Sequence, residues 1–157
     1  MIAIALLTGA EKAVVADLKP AGGQERFVRD GAFAAAETDP ALDLYAVRDG
    51  GAVVGMFKLD RAYAEAPCHD FCQPGDLGLR GVLVDAGQQG KGIGRQMLAA
   101  LPALVRAGYP GVRRLVLTVN CQNPVARAAY LAAGWQDDGR LYLGGDAGPQ
   151  HVLTFAL

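Results

Sequence analysis

The sequence LVDAGQQGKGIGR at positions 83–95 decides the fold. An apolar run ends at Val84, a polar and glycine-rich turn follows, and a helical pattern of apolar residues begins at Ile93. A turn of this kind leaves unpaired backbone N–H groups at a helix N-terminus, where the helix dipole adds positive potential. The stretch therefore predicts a strand, a turn that binds an anion, and a helix.

Three glycines and two basic residues favour phosphate as the anion. Gly90, Gly92 and Gly94 allow the main chain to come close to a phosphate, where a Cβ would collide. Lys91 and Arg95 add positive charge. The Walker motif does not fit because isoleucine follows Gly92, and the dinucleotide fingerprint does not fit because Arg95 takes the place of its last glycine. An ordinary strand–turn–helix corner with flexible glycines is the alternative interpretation.

Composition limits the protein to a few classes. The chain has 157 residues, of which 52% are hydrophobic, and no internal repeat, so we expect one domain spanning residues 1–157. The 15 basic and 16 acidic residues give a net charge of −1, which argues against a nucleic-acid partner. No apolar run is long enough for a membrane span. The 3 cysteines are too few for a disulfide scaffold and favour a cytoplasmic location.

Hydrophobic patterns along the rest of the chain predict an α/β fold with helices between strands. We expect strands at Ala3–Leu7, Leu42–Val47, Ala52–Leu59, Leu77–Val84, Arg113–Val119, Leu141–Leu143 and Val152–Leu157. We expect helices at Glu11–Lys19, Gln24–Glu37, Ile93–Arg106 and Pro124–Ala133. Pro102 lies inside the third of these helices and predicts a kink or an early end, because proline removes one backbone hydrogen bond.

Two motifs resemble the GNAT superfamily of N-acetyltransferases. Gln89–Gly94 matches the family signature Arg/Gln-x-x-Gly-x-Gly/Ala, which follows the fourth strand. The second motif is a strand, an Asn, and a helix that reads Asn-x-x-Ala-x-x-x-Tyr-x-x-x-Gly-Phe. The matching residues are Val116–Val119, Asn120, Asn123, Ala126, Tyr130, Gly134 and Trp135, with Trp in place of Phe. The resemblance covers residues 42–157, and the residues before them fit only the general layout.

This resemblance implies the fold class and the co-substrate. The fold would be α/β and GNAT-like, with a mixed, mostly antiparallel central sheet that is flanked by helices and splayed between strands 4 and 5. Acetyl-CoA would be the co-substrate, with no metal. Its pantetheine arm would pair with the strand at 82–84, and its pyrophosphate would bind the turn. The residues expected to bind coenzyme A are Val82, Leu83, Val84, Gln89, Gly90, Lys91, Gly92, Ile93, Gly94, Arg95, Asn120 and Asn123.

The same resemblance implies a mechanism in which a neutral amine attacks the thioester directly in a ternary complex, and Tyr130 protonates the departing thiolate. A phenol suits this role because its reference pKa of about 10 is near that of a thiol, about 8.5. From spacing alone, Tyr130 is equally well a packed aromatic residue on a helix that faces the sheet. The strand at 77–84 lacks the carboxylate that many family members use as general base. The base would then be a water chain, Asp76 or no dedicated group.

The acceptor would be a primary amine of a small molecule or a peptide N-terminus. In the family, the region between the third and fourth strands often lines the acceptor pocket, so the candidate substrate-binding residues are His69, Asp70, Asp76 and Arg80. Arg80 and Asp85 resemble the small-amine and polyamine branch of the family. The segment Cys68–Cys72 has too few ligands at the wrong spacing for zinc, which favours a loop over the acceptor site. A homodimer is also expected, because family members are often dimers.

Two other function classes remain open. A catalytically weak, coenzyme A-binding regulatory module of the same fold is favoured by the missing strand carboxylate and opposed by Tyr130 and the intact turn. A general nucleotide-binding domain would bind ATP or NAD and would not bind acetyl-CoA.

Overall fold

The computed structural model describes residues 1–157. Its strands are β1 (Ile2–Leu7), β2 (Leu42–Asp49), β3 (Ala52–Asp60), β4 (Leu77–Val84), β5 (Arg114–Asn120), β6 (Gln136–Tyr142) and β7 (Gln150–Ala156). Its α-helices are α1 (Gly31–Ala35), α2 (Ile93–Gly108) and α3 (Pro124–Ala132), and short 3-10 helices lie at Gly9–Val15, Tyr63–Glu65 and Ala86–Gln88. Each predicted strand overlaps an observed one, but β6 begins at Gln136, five residues before the predicted start, and ends at Tyr142. None of the helices combines the length and the apolar character needed to cross a membrane.

The strands form one sheet in the order β1-β2-β3-β4-β5-β7-β6. Neighbouring strands are antiparallel at β1–β2, β2–β3, β5–β7 and β6–β7. Strands β4 and β5 are parallel, and their ladder contains only the pairs Leu77–Leu115 and Gly78–Val116. The predicted mixed, mostly antiparallel sheet is confirmed, and the parallel ladder involves only the first two residues of β4.

One compact unit comprises Met1–Asp60 and Arg80–Met97. Its strands β2 and β3 are joined at Gly50 and Gly51, whose φ angles of +56° and +88° are those of a tight hairpin turn. Apolar side chains from the strands, the first 3-10 helix and α1 form its core. The buried members are Leu7, Val15, Leu18, Ala34, Leu44, Ala46, Met56 and Leu83.

The other compact unit comprises Arg61–Leu79 and Leu98–Leu157. It contains the antiparallel pairs of β5 with β7 and of β7 with β6. The segment before β4 packs aromatic side chains on these strands. The buried members of this cluster are Tyr63, Phe71, Val116 and Val152, with Cys72 and Tyr142 packed against them. The single domain expected from composition stays a prediction.

The helix predicted at 24–37 is wrong over most of its length, because only Gly31–Ala35 is α-helical. Asp30 is the N-cap of this short helix, and its carboxylate accepts a hydrogen bond from the backbone N–H three residues on, at 3.0 Å. A Cβ at Gly31 would lie 1.7 Å from the carbonyl oxygen of Val15. Only glycine fits this close contact between two backbone segments, and hydrophobic periodicity does not reveal it.

Two other helix predictions also need correction. Helix α2 continues through Pro102 to Gly108, so the predicted early end is wrong. Leu101 and Val105 are 1% and 0% exposed, and their packing outweighs the single hydrogen bond that proline removes. The α-helix predicted at 11–19 is instead a 3-10 helix over Gly9–Val15.

Candidate active site

The turn after β4 is fixed to its own unit by hydrogen bonds to neighbouring segments. Asp85 N donates to Val54 O at 2.8 Å, and the Asp85 carboxylate accepts from Lys19 N at 2.9 Å. The side chain of Gln89 donates to Val84 O at 2.8 Å, which satisfies the last carbonyl of the strand. These contacts hold the turn in place without using its remaining backbone N–H groups.

The start of α2 carries a run of unpaired donors. Gln96 N makes the first hydrogen bond of the helix, to Gly92 O at 3.0 Å. The backbone N–H groups of residues 90–95 have no hydrogen-bond partner within the chain. Gly90 and Gly92 have φ angles of +77° and +76°, which glycine adopts without strain, and a Cβ at either position would meet no protein atom within 4 Å. The turn is therefore an open array of N–H donors at the positive end of a helix, which fits an anion.

Basic side chains flank this array. Lys91 and Arg95 are exposed, and the ammonium group of Lys91 donates to the side-chain oxygen of Gln88 at 3.0 Å. Leu83 of the preceding strand is a buried member of the first core cluster. Of the expected coenzyme A contacts at Leu83, only those of its backbone are therefore available.

A bend inside β4 was not predicted from the sequence. Gly81 has a φ of +60°, whereas strand residues normally have strongly negative φ. Such a bend interrupts a ladder and redirects backbone groups, as β-bulges do. The side chain of Lys58 packs on it, since a Cβ at Gly81 would lie 3.6 Å from Lys58 Cδ. The sequence signal for this bend was Gly81 itself, because a glycine inside a strand often marks a bulge or bend.

Asn120 and Asn123 order the turn between β5 and α3, and both are buried. Asn120 Nδ2 donates to Ala147 O at 2.9 Å, and Asn120 Oδ1 accepts from Gln122 N at 2.8 Å. Asn123 is the N-cap of α3, where its Oδ1 accepts from Ala126 N at 3.4 Å. The expected contacts of both residues with coenzyme A stay predictions.

Tyr130 lies on α3 and is half-buried. Its ring packs edge-on against Trp135 at a centroid distance of 5.8 Å, and Trp135 lies 5.8 Å from Phe155. Burial raises the pKa of the Tyr130 phenol above its ordinary value, so the hydroxyl stays protonated at neutral pH. The hydroxyl has no hydrogen-bond partner within the chain. The ring therefore packs as a structural residue would, while the hydroxyl keeps a proton that it can donate.

The profile of the acetyltransferase (GNAT) family matches residues 13–135 of the chain. The chain belongs to this family. No curated protein shows a significant sequence match.

Solved structures of N-acetyltransferases share the GNAT fold of this chain. The aminoglycoside acetyltransferase AAC(6')-Ib in complex with coenzyme A is 19% identical and has a TM-score of 0.79; the match covers 99% of this chain and 95% of that enzyme. The ribosomal-protein-S18-alanine N-acetyltransferase from Escherichia coli is 19% identical and has a TM-score of 0.67; the match covers 100% of this chain and 93% of that enzyme. A spermidine N-acetyltransferase SpeG chimera from Vibrio cholerae and hSSAT is 17% identical and has a TM-score of 0.68; the match covers 99% of this chain and 95% of the chimera. At these identities the likeness establishes the fold.

In this GNAT protein, the buried carboxylate of Asp76 forms an ion pair with Arg114. Arg114 Nε lies 3.1 Å from Asp76 Oδ1, and Arg114 Nη2 lies 2.6 Å from Asp76 Oδ2. The hydrogen bond to Asp76 raises the pKa of the Arg114 guanidinium. Both carboxylate oxygens are engaged, so Asp76 has a structural role in the second unit. Its expected roles in acceptor binding and as a base stay predictions.

The other candidates between β3 and β4 lie in and beside an aromatic cluster. His69 Nδ1 lies 2.8 Å from Tyr63 O, and since a carbonyl only accepts, Nδ1 carries the proton. The His69 ring lies 4.1 Å from the ring of Tyr63 and 5.2 Å from that of Phe71, whereas Asp70 is exposed. No group of three or more His, Cys, Asp or Glu residues could hold a metal ion. Burial raises the pKa of the Cys72 thiol to about 11, so this thiol stays protonated at neutral pH.

The fourth candidate, Arg80, belongs to the first unit and joins charged residues that sequence analysis missed. Arg80 Nη1 lies 3.0 Å from Asp60 Oδ2, and the Asp60 side chain is buried. Lys58 is also buried, with its Nζ 3.6 Å from Glu37 Oε1. Burial lowers the pKa of Lys58, and the charge of Glu37 opposes this shift. The sequence signal for this charged group was the pair Lys58 and Asp60 at the end of the otherwise apolar strand β3.

Proposed function

We propose that the protein is an acetyl-CoA-dependent N-acetyltransferase that acts on a primary amine of a small molecule or a peptide. The observation that carries this proposal is the run of unpaired N–H groups at residues 90–95, which lies in the signature of a GNAT family member. Coenzyme A is bound by the similar AAC(6')-Ib structure. The fold alone does not select the acceptor, since the similar proteins are named for aminoglycosides, a ribosomal protein and spermidine.

The turn fits a diphosphate in charge and in space. Its N–H donors point out of the start of α2, and the open space around Gly90 and Gly92 leaves room for phosphate oxygens. The backbone of Val82–Val84 would pair with the pantetheine arm as an added strand does. When bound, acetyl-CoA supplies an activated acetyl thioester. The turn and the backbone of Val82–Val84 would together fix the direction in which the thioester points along β4.

Tyr130 would donate the proton that the departing sulfur needs. Its hydroxyl is protonated at neutral pH and has no competing partner in the chain. The raised pKa makes this phenol a weaker acid than its reference value implies, so transfer is favourable only to a thiolate that is itself removed from water. Much of the rate enhancement would then come from holding amine and thioester together.

No carboxylate of β4 is available to deprotonate the acceptor. The amine would therefore react in its neutral form, and the rate should rise with pH as the acceptor ammonium loses its proton. The absence of a strand carboxylate also favours the second candidate, a coenzyme A-binding module with weak catalysis.

Two measurements test the proposal and separate these candidates. Thermal unfolding should show that acetyl-CoA raises the Tm, whereas ATP and NAD do not. A thiol assay with a diverse amine panel should then show release of free coenzyme A. Stabilisation by acetyl-CoA without thiol release from any amine would identify the binding module. Stabilisation by ATP or NAD and not by acetyl-CoA would contradict the proposal.

A further inference from the structure

Charged side chains of the first unit form a connected group that includes Lys58, which packs on the bend at Gly81, and its neighbour Arg80. Arg80 pairs with Asp60, and Lys58 pairs with Glu37. Lys12 Nζ donates to the backbone carbonyl of Glu37 at 3.4 Å. Arg29 and Lys58 both lie over the ring of Phe33, at 4.0 Å and 5.3 Å from its centroid. We define the charged cluster as Lys12, Arg29, Glu37, Lys58, Asp60 and Arg80.

Positive charge dominates this cluster. Four members are cations and two are carboxylates, and each carboxylate already has a cationic partner. Burial is the main cause of the lowered pKa of Lys58, and Glu37 opposes it, while the charges of Arg80 and Lys12 lower it further, so Lys58 lies near two other cations. A further ammonium group would be repelled, whereas an anion would relieve the repulsion.

Arg80 presents the accessible part of the cluster. Its side chain is 52% exposed, while that of Asp60 is 9% exposed. Asp60 contacts Nη1 of Arg80 at 3.0 Å, and no group of the chain hydrogen-bonds Nε or Nη2. These two nitrogens form the edge of a guanidinium that binds a carboxylate through two parallel hydrogen bonds. Asp60 thus holds Arg80 in place and leaves its bidentate edge open.

If the donor binds as proposed, the position of Arg80 along β4 would put this edge near its reacting end. With the pyrophosphate at residues 90–95 and the pantetheine arm along Val82–Val84, the thioester points back along the strand towards Gly81 and Arg80. We propose that the acceptor is a small amine that also carries a carboxylate, as an amino acid does, and that Arg80 binds this carboxylate. This inference rests on the proposed function. It predicts discrimination against polycations such as spermidine and aminoglycosides, which would bring several ammonium groups to the charged cluster.

The test compares acceptors that are matched except at the carboxylate. Because the ammonium of a carboxamide is more acidic than that of the amino acid, kcat/KM is expressed per concentration of neutral amine, from a pH profile of each compound. Each L-amino acid is paired with its carboxamide, and spermidine and kanamycin are added. We measure kcat/KM by thiol release, and we measure binding of the same compounds to the coenzyme A-loaded protein by calorimetry. The best acids should exceed their carboxamides by about tenfold or more in both measurements, because a charge-assisted bidentate contact is lost.

Variants assign the preference to Arg80. Arg80→Gln should bring the acid-to-carboxamide ratio towards one, mainly through KM. Arg80→Lys should give an intermediate ratio, because it keeps the charge and the partner of Asp60 but loses the two-nitrogen edge. Arg106→Gln, at an exposed arginine in the last turn of α2, should leave the ratio unchanged. Thermal unfolding of each variant checks that it is folded.

The binding arm separates failure of this inference from failure of the proposed function. Arg80-dependent binding of the acids without thiol release would support the acidic ligand and contradict acetyl transfer. Thiol release that is equal for acids and carboxamides, or highest for spermidine or kanamycin, would support acetyl transfer and overturn the inference. Failure of every acid to bind, or a ratio that Arg80→Gln leaves unchanged, would also overturn it.

Discussion

Replacement of Gly92 by alanine tests the anion site most directly. Gly92 has a φ of +76°, a region that costs alanine about 1 to 2 kcal/mol. For a chain of 157 residues this corresponds to a Tm lower by roughly 2 to 8 °C. The new Cβ would meet no protein atom within 4 Å, so no steric cost is added in the free protein. If a diphosphate occupies that open space, the methyl group displaces it from one or more N–H donors. Each charged hydrogen bond contributes about 1.5 to 3 kcal/mol, so the Kd of acetyl-CoA should rise about tenfold or more.

Gly51→Ala is the matched control for backbone strain. Gly51 has a φ of +88° in the β2–β3 hairpin, and a Cβ there also meets nothing within 4 Å. Both variants should lose similar stability in thermal unfolding, but only Gly92→Ala should weaken acetyl-CoA binding in calorimetry. A wild-type Kd for Gly92→Ala, or an equal loss of affinity in both variants, would refute the assignment of the turn as the diphosphate site.

Three further variants test the roles of single side chains. Tyr130→Phe should lower kcat by at least about a hundredfold in the thiol assay, with less than about a threefold change in the Kd of acetyl-CoA; equal losses would contradict a proton-donor role. Asp76→Asn should lower the free energy of unfolding in urea by about 3 kcal/mol, because Arg114 loses its buried anionic partner; a wild-type curve would show that the pair is dispensable. Asp137→Asn should cost about 0.5 to 1 kcal/mol at neutral pH, because a hydrogen bond from Arg127 lowers the pKa of Asp137. A lowered pKa stabilises the fold above the ordinary carboxylate pKa and loses this effect as the pH falls through the lowered folded-state pKa, so the unfolding curves of variant and wild type should converge in acid.

The parts of the molecule that sequence predicts well are those fixed by local chemistry. The bounds of β4 at Leu77–Val84 and the start of α2 at Ile93 agree with the prediction. The apolar run ends at Val84, and the glycine-rich turn that follows separates it from the helix. The start of α3 agrees too, since Asn123 caps the helix and Pro124 suits its first position. These are the same segments that carry the two family motifs, which is why the family and the fold class could be inferred.

Contacts between distant segments account for what sequence did not predict. Gly31, the first residue of α1, approaches Val15 closely, and periodicity contains no sign of it. Asp76 pairs with Arg114, which lies 38 residues further along the chain, and no sequence pattern indicates this ion pair. The link between Arg80 and Asp60 likewise depends on side chains meeting across strands. Such pairs are set by tertiary geometry, which a single sequence does not specify.

The main-chain donors at residues 90–95 have an evolutionary consequence. A site built from amide groups asks little of the side chains around it, because every residue except proline carries the same N–H. Such a turn therefore depends on few side chains, chiefly the glycines that the left-handed conformation requires at positions 90 and 92 and Gln89, which donates to the Val84 carbonyl. Selection on such a site acts on chain geometry, and two sequences can drift far apart while the geometry is retained.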